Sequence, residues 1–371
     1  MNEDTNKYLV GIETTGFGLE YEVSRSLVSD GWTVINNKYY IDDVQGSSRE
    51  IDILAYKVSN KNKILVYTVL IVSCKKSADN VWALLAKQKS ENDPNIDWHP
   101  VTLWSNQKIL RLMIENYNWK ERYLKDSSEL YDQLLAPSKH IFAFQELNKN
   151  KGSPQNDKAI FNSIISTMKS QDYEINSLEK RKKEDAVYNF NLVSVVDAPL
   201  YRVNFGEAKP EIESIESDIY VGSYIINKRE TISRVHIVCA DKFSSYLPIY
   251  SHLHKHNVSQ SAVIKNSYFE NVLADSAKVD LFIKDFNREV RWIIYTTLRD
   301  VRRDEKAPLP DISIFWNAKE NKAEIEIESV HEESELEALN SNRKLITKVS
   351  SALKKIYGYE GDFTFTFLIP F

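Results

Sequence analysis

Cysteine is almost absent: Cys74 and Cys239 are the only two in 371 residues. Two thiols cannot build a disulfide framework or, from this chain alone, a thiolate zinc site, so a reducing, cytoplasmic setting is expected. Long apolar runs are missing as well. The longest, residues 64–72, is under half of what a bilayer-spanning helix needs and reads as a buried strand, so no membrane partner is expected. The first seven residues are polar and acidic, without the basic flank and apolar block of a secretory signal, and export is not expected. Positive charge is not in excess either. With 48 Lys and Arg against 53 Asp and Glu, the net charge is -5, so any nucleic-acid surface has to come from clustered basic residues. No glycine-rich phosphate loop and no short repeat is found.

Core-forming material is ample. The apolar share is 42% and the charged share 27%, as in folded globular chains, and the length suits two domains. Leu19, Val23 and Leu27 recur every four residues and stop at Asp30-Gly31, which predicts an amphipathic helix over 19–29. Strands are expected at 32–35 and 49–57. A polar turn at 59–63 then leads into 64–73, an antiparallel hairpin whose second arm is apolar on both faces and therefore central. Helix over 80–90, strand at 101–104, helix over 108–117 and an apolar segment at 140–144 complete a compact α/β unit.

Residues 148–157 are rich in Gly, Pro, Asn and Lys, which reads as a linker before a helix over 159–183. The expected domains are therefore 1–147, a linker and helix at 148–185, and a mixed α/β domain over 186–371 that selects substrate or binds a partner. In that last part, strands are expected at 187–196, 219–226, 232–239, 279–283, 312–316, 324–328 and 363–369, and helices at 246–256, 287–303 and 333–357.

Asp52 is an isolated acid in an apolar strand, where a carboxylate is costly unless it meets a partner or a metal. Alternation puts Glu50 and Asp52 on one face of that strand, and Ser73 and Lys75 on one face of the next. Pairing across the hairpin can bring Asp52 to Lys75. Glu20 lies three residues before Val23, at the border of its helix's apolar face, and is the inward carboxylate, whereas Glu22 falls on the polar side. Carboxylates that hold a divalent ion, with a cation to steady charge or orient water, are what metal-dependent phosphodiester hydrolysis requires.

Gly18-Leu19-Glu20 leading to Gly31-Trp32, then Arg49-Glu50-Ile51-Asp52-Ile53, then Ser73-Cys74-Lys75-Lys76-Ser77, resembles the restriction-endonuclease-like nucleases of the PD-(D/E)xK type. The resemblance covers about the first third of the chain. It implies a mixed β-sheet flanked by helices and an Mg²⁺ or Mn²⁺ ion held by Glu20, Asp52 and the Cys74 carbonyl, with Lys75 orienting water. It also implies endonuclease action on nucleic acid, DNA ahead of RNA, in restriction or anti-phage defence, by a homodimer or a subunit of a larger complex.

Ser73 departs from the pattern, for the family usually has Glu, Asp or Gln there, and a neutral hydroxyl is a poor Mg²⁺ ligand beside a carboxylate. Two readings stay open: Glu50 or Glu20 supplies the missing charge, or the chain is a decayed nuclease that still binds nucleic acid or scaffolds a complex. A module that binds only protein, favoured by the acidic net charge, is a third.

Further along, Arg288, Arg291, Tyr295, Arg299 and Arg302 form a basic stripe that can track a phosphate backbone, with a solvated face paired to nearby acids as the plain alternative. Pro310-Asp311 followed by Glu324, Glu326 and Glu328 faintly echoes the same nuclease pattern, although alternate glutamates on an edge strand are ordinary solvent-facing residues. His252, His254 and His256 alternate on a helix and so make a poor metal site. Cys74 reads as a core thiol.

Overall fold

The computed structural model describes residues 3–90, 93–206, 209–302 and 309–367. The chain is mixed α/β and divides into two compact units, Met1–Ala262 and Val263–Phe371. In order, the first unit holds α1 (Glu3–Glu13), α2 (Phe17–Ser29), β1 (Thr33–Ile41), β2 (Ser48–Lys61), β3 (Ile64–Lys76), β4 (Asn80–Lys87) and β5 (Thr102–Ser105). There follow α3 (Lys108–Asn116), α4 (Lys120–Lys125), the short α5 (Ser128–Leu130), β6 (His140–Asn148), α6 (Lys158–Arg181), β7 (Ala186–Asp197), β8 (Leu200–Phe205), β9 (Glu211–Ile215), β10 (Ser217–Ile226) and β11 (Arg229–Cys239). Helix α7 (Phe243–Ser267) starts in the first unit and ends in the second.

The main sheet runs β1-β2-β3-β7-β11-β10, with β5 on β7. The β2–β3 hairpin turns on Asn62 and Lys63, both at positive φ (52° and 65°), a backbone that matches the twist of two paired strands. β3 is central, as its two apolar faces require. Val69 and Ile71 enter the core that also holds Ile160, Ile164 and Met168 of α6, while Leu70, Val72 and Cys74 enter the core shared with Val23 and Leu27 of α2 and Phe243, Leu247 and Leu253 of α7. A strand buried on both sides fixes its register, because a one-residue slip would exchange the two cores.

The expected boundary near residue 148 does not divide the chain. β7 runs parallel to β3, from Leu65↔Ala186 to Lys76↔Asp197, and a parallel pair needs a crossover, which α6 supplies. What reads as a linker and the start of a second domain is thus one fold with the first third, and the division falls at 262/263.

Residues 80–87 are strand rather than helix. β4 lies between β6, antiparallel, and β8, parallel, in a second sheet of order β6-β4-β8-β9. Trp82, Ala83, Leu84 and Ala86 are buried there. Ala and Leu favour helix locally, and the flanking strands override that preference.

The second unit continues with α8 (Ser276–Asp280), α9 (Ile283–Arg302), β12 (Ile312–Asn317), β13 (Lys322–Ile327), α10 (Glu333–Ser341), α11 (Arg343–Tyr357) and β14 (Phe363–Thr366). The strand expected at 279–283 is instead the junction of α8 and α9, where the Asp275 side chain accepts from the Ala277 and Lys278 amides and starts α8. The helix expected over 333–357 is broken at Asn342, whose side chain caps α11. Residues 368–369 of the last expected strand and Arg303 lie outside the described residues. β13 is the middle strand of the β12-β13-β14 sheet, not an edge, with Ala323, Ile325 and Ile327 buried on one face and Glu324 and Glu326 on the other. Among the described residues no helix is long and apolar enough to cross a membrane.

Candidate functional site

Asp52 lies on β2 just beyond the last residues paired with β3, beside the end of β3. There one carboxylate oxygen, Oδ2, accepts from the Cys74 amide at 2.7 Å and the Ser73 hydroxyl at 3.1 Å, and meets the Lys75 ammonium at 3.5 Å. Three donors on one oxygen hold the carboxylate in a single orientation and leave Oδ1 with its lone pairs for another ligand. Lys75 also donates to the Cys74 carbonyl at 3.2 Å, so the backbone oxygen expected to ligate a metal already accepts from the neighbouring ammonium.

Glu20 enters from α2. Val23 and Leu27 anchor the inner face of that helix, and Glu20 lies one turn earlier, in the first turn, where the helix dipole favours negative charge. Partial burial raises its pKa above the ordinary carboxylate value. Asp52 pushes it further up, Lys75 pulls it back and Glu50 adds a smaller push. Asp52 and Lys75 thus act on Glu20 with opposite sign, the acid more strongly than the ammonium. Glu50 itself is exposed, opposite Tyr39 of the edge strand β1.

The sign of the Glu20 shift has a stability consequence. A carboxyl whose folded pKa is raised contributes stability below its unfolded pKa, and that contribution is lost as pH rises through the folded value. Glu20→Gln is therefore expected to raise the unfolding temperature of the metal-free protein at neutral pH, with the advantage disappearing in acid. Thermal melts of both proteins with and without Mg²⁺ check this: the ion should stabilise wild type more than the variant.

The oxygen groups at hand are the Asp52 carboxylate with the Ser73 hydroxyl beside it, and the Glu20 carboxylate on α2. All are hard oxygens of the kind Mg²⁺ and Mn²⁺ take, and Mg²⁺ commonly binds through one or two carboxylates and keeps several waters. Among the described residues no three His, Cys, Asp or Glu side chains converge as an ion cage.

Ser73 is buried and stands opposite Ser194 of β7, whose hydroxyl lies 2.8 Å from that of Ser163 on α6. This buried polar layer beneath the site was not legible in the sequence, because Ser163 and Ser194 are ordinary helix and strand residues until α6 crosses β7. Glu146 was missed too. It is buried on β6 opposite Trp82 of β4 and accepts from Trp82 Nε1 at 2.7 Å, with Asn80 at 3.3 Å and Ser77 at 3.5 Å, so it ties the end of β3 to the second sheet. The Cys74 thiol is buried, and that burial, with Asp52 and Glu20 near it, drives its pKa well up, so it belongs to the core. A groove of about 760 Å³ opens beside α2, lined among others by Glu22, Arg25, Lys76, Asp197, Asp241 and Ser244.

The histidines on α7 do not converge. His254 pairs with Ser59 and Thr68, His256 with the Tyr123 carbonyl, and His252 faces Glu129. The arginine stripe on α9 splits in two. Arg291 is held by the Pro310 carbonyl and Asp311, and Arg302 by Glu335 and the Ser329 carbonyl, so both serve the second unit's own packing. Arg288 remains exposed and Arg299 half-exposed, beside Asp285 and Asp300. No protein-family model, no curated protein and no solved structure matches the chain.

Proposed function

We propose that the chain is a metal-dependent endonuclease of restriction-endonuclease-like fold that acts on DNA, with its site at the ends of β2 and β3. The observation that carries this reading is the Asp52 carboxylate, pinned by the Cys74 amide, Ser73 and Lys75; the pKa of Glu20 is raised by burial first and by Asp52 second. A divalent cation near Asp52 would relieve the repulsion that Asp52 exerts on the partly buried Glu20 carboxylate. Glu20 and Asp52 are the residues that would hold it. When bound, such an ion polarises a phosphoryl oxygen and assists attack by water. Lys75 is placed to offset charge on the phosphate and to orient the attacking water, and the Ser73 hydroxyl orients Asp52.

A second reading rests on Ser73 itself: with a hydroxyl where a third acid is usual, the chain binds nucleic acid without cutting it. Ser73→Glu and the shorter Ser73→Asp separate the two. An extra carboxylate is expected to raise Mg²⁺ affinity by about 10–100-fold, the range over which changes around a metal's ligands act. Cleavage of single- and double-stranded DNA and RNA is then measured with Mg²⁺ and with Mn²⁺. Cutting by wild type supports the nuclease, whereas cutting that appears only in the acidic variants establishes decay. If none of the three proteins cuts any substrate, the nuclease reading is lost.

A further inference from the structure

The face that α9 turns to solvent differs from the stripe of arginines in its sequence. Phe286, Val290, Ile294, Thr297 and Leu298 are buried on the inner face. On the outer face, Lys284, Arg288, Trp292, Tyr295 and Arg299 recur at steps of four, four, three and four residues, which is one line along a helix. At 1.5 Å per residue that line is about 22 Å long. Trp292 is 67% exposed, and its ring lies 5.5 Å from that of Tyr295 at 31°.

The cations on this line are available. Arg288 and Arg299 each have one acidic neighbour on the same helix, Asp285 and Asp300, and exposed pairs of that kind hold a side chain only weakly. The nearby Glu289 is already neutralised by Lys348 and Lys355 of α11. The surface therefore presents more positive charge than negative around two aromatic rings.

We propose that this line is a binding site for unpaired nucleic acid, with Trp292 and Tyr295 stacking on bases and Lys284, Arg288 and Arg299 meeting phosphates. A duplex keeps its bases stacked on one another and would engage the cations alone, leaving the indole in water. An unpaired strand offers a π-face to each ring and a phosphate to each cation, and base–aromatic stacking is tolerant of sequence. The same residue types also serve as anchors in protein interfaces, but there the cations would have to meet acids on the partner. The alternation of cation and ring along one line matches a repeating anionic chain more closely.

The inference rests on the reading that the chain meets nucleic acid, and its test reads binding without cutting. Fluorescently labelled oligo(dT), oligo(U) and a duplex of equal length are titrated with the full chain in EDTA. The unpaired strands should bind more tightly than the duplex. Trp292→Ala should weaken oligo(dT) binding by about 5- to 150-fold, as loss of one stacked base does, and Trp292→Phe should restore most of it. Replacing both Arg288 and Arg299 by alanine should lower the slope of log affinity on log salt by about 1.4, at about 0.7 for each lost phosphate contact on a single strand.

Unchanged oligo(dT) affinity in Trp292→Ala, or equal loss for strand and duplex, overturns the stacking site. If no variant alters binding to any nucleic acid, the inference fails. A chain that shows Trp292-dependent binding but never cuts with Mg²⁺ loses the nuclease reading and keeps this one.

Discussion

Exchanging Asp52 for asparagine is expected to lower Mg²⁺-dependent strand cleavage by about 10²–10³-fold, the cost of removing one preorganised electrostatic group. The Asp52 Oδ2 atom serves three donors at once, the Cys74 amide, the Ser73 hydroxyl and Lys75. Asparagine has nearly the same shape, but it can offer one oxygen to those donors or to an ion, not both, because its other terminal atom is itself a donor. It also removes the charge that attracts the ion. Its side chain is about one-fifth exposed at the strand end, so the substitution should leave the fold intact.

Lys75→Ala should cost a similar factor for a different reason. The ammonium offsets negative charge on Asp52 and Glu20, so its loss is expected to leave metal binding intact or stronger while slowing cleavage. Initial rates across a Mg²⁺ titration separate the two. Asp52→Asn should shift the half-saturating Mg²⁺ concentration upward, and Lys75→Ala should lower the maximal rate without such a shift.

The second large effect concerns stability. Trp82→Ala is expected to destabilise the first unit by about 3–5 kcal/mol, the usual cost of truncating a buried large aromatic. Trp82 is fully buried on β4, and its indole N–H donates to the buried Glu146. Trp82→Phe keeps most of the ring volume but leaves that carboxylate short of a donor. It should cost about 1–3 kcal/mol, the penalty for a buried group left unsatisfied. Chemical denaturation followed by circular dichroism measures both. A cost below that of an ordinary surface change, about 0.5 kcal/mol, would show that β4 is not part of the core as described.

The meeting of Asp52 with Ser73 and Lys75 was readable because its signals are local. Asp52 stands out in an apolar strand, Lys75 closes the next one, and Asn62 and Lys63 join them in a two-residue turn, so hairpin pairing alone brings them together. Glu20 follows from helical spacing against Val23 and Leu27. What was not readable depends on remote partners. Ala83, Leu84, Leu85 and Ala86 read as helix until β6 and β8 flank them, and β8 is itself a short, half-polar strand.

The α9 arginines look alike in sequence. Pro310, Asp311, Ser329 and Glu335 capture Arg291 and Arg302 from the loops and helix that follow, and nothing within the helix marks those two as structural. Trp292 went unweighed for the opposite reason, since a tryptophan is ordinarily assigned to a core. The domain boundary was misplaced because a polar loop between elements looks the same whether it ends a domain or leads into a crossover helix. Only the β3–β7 pairing distinguishes the two cases.

The central claim is that Glu20 and Asp52 together hold one divalent ion. Binding of Mn²⁺ to the 371-residue chain, followed by loss of the free-ion electron paramagnetic resonance signal, tests it most directly. One site per chain, weakened in Glu20→Gln and abolished in Asp52→Asn while both variants keep the wild-type circular dichroism spectrum, is the predicted result. No binding by wild type, or binding that both variants retain unchanged, would contradict the claim.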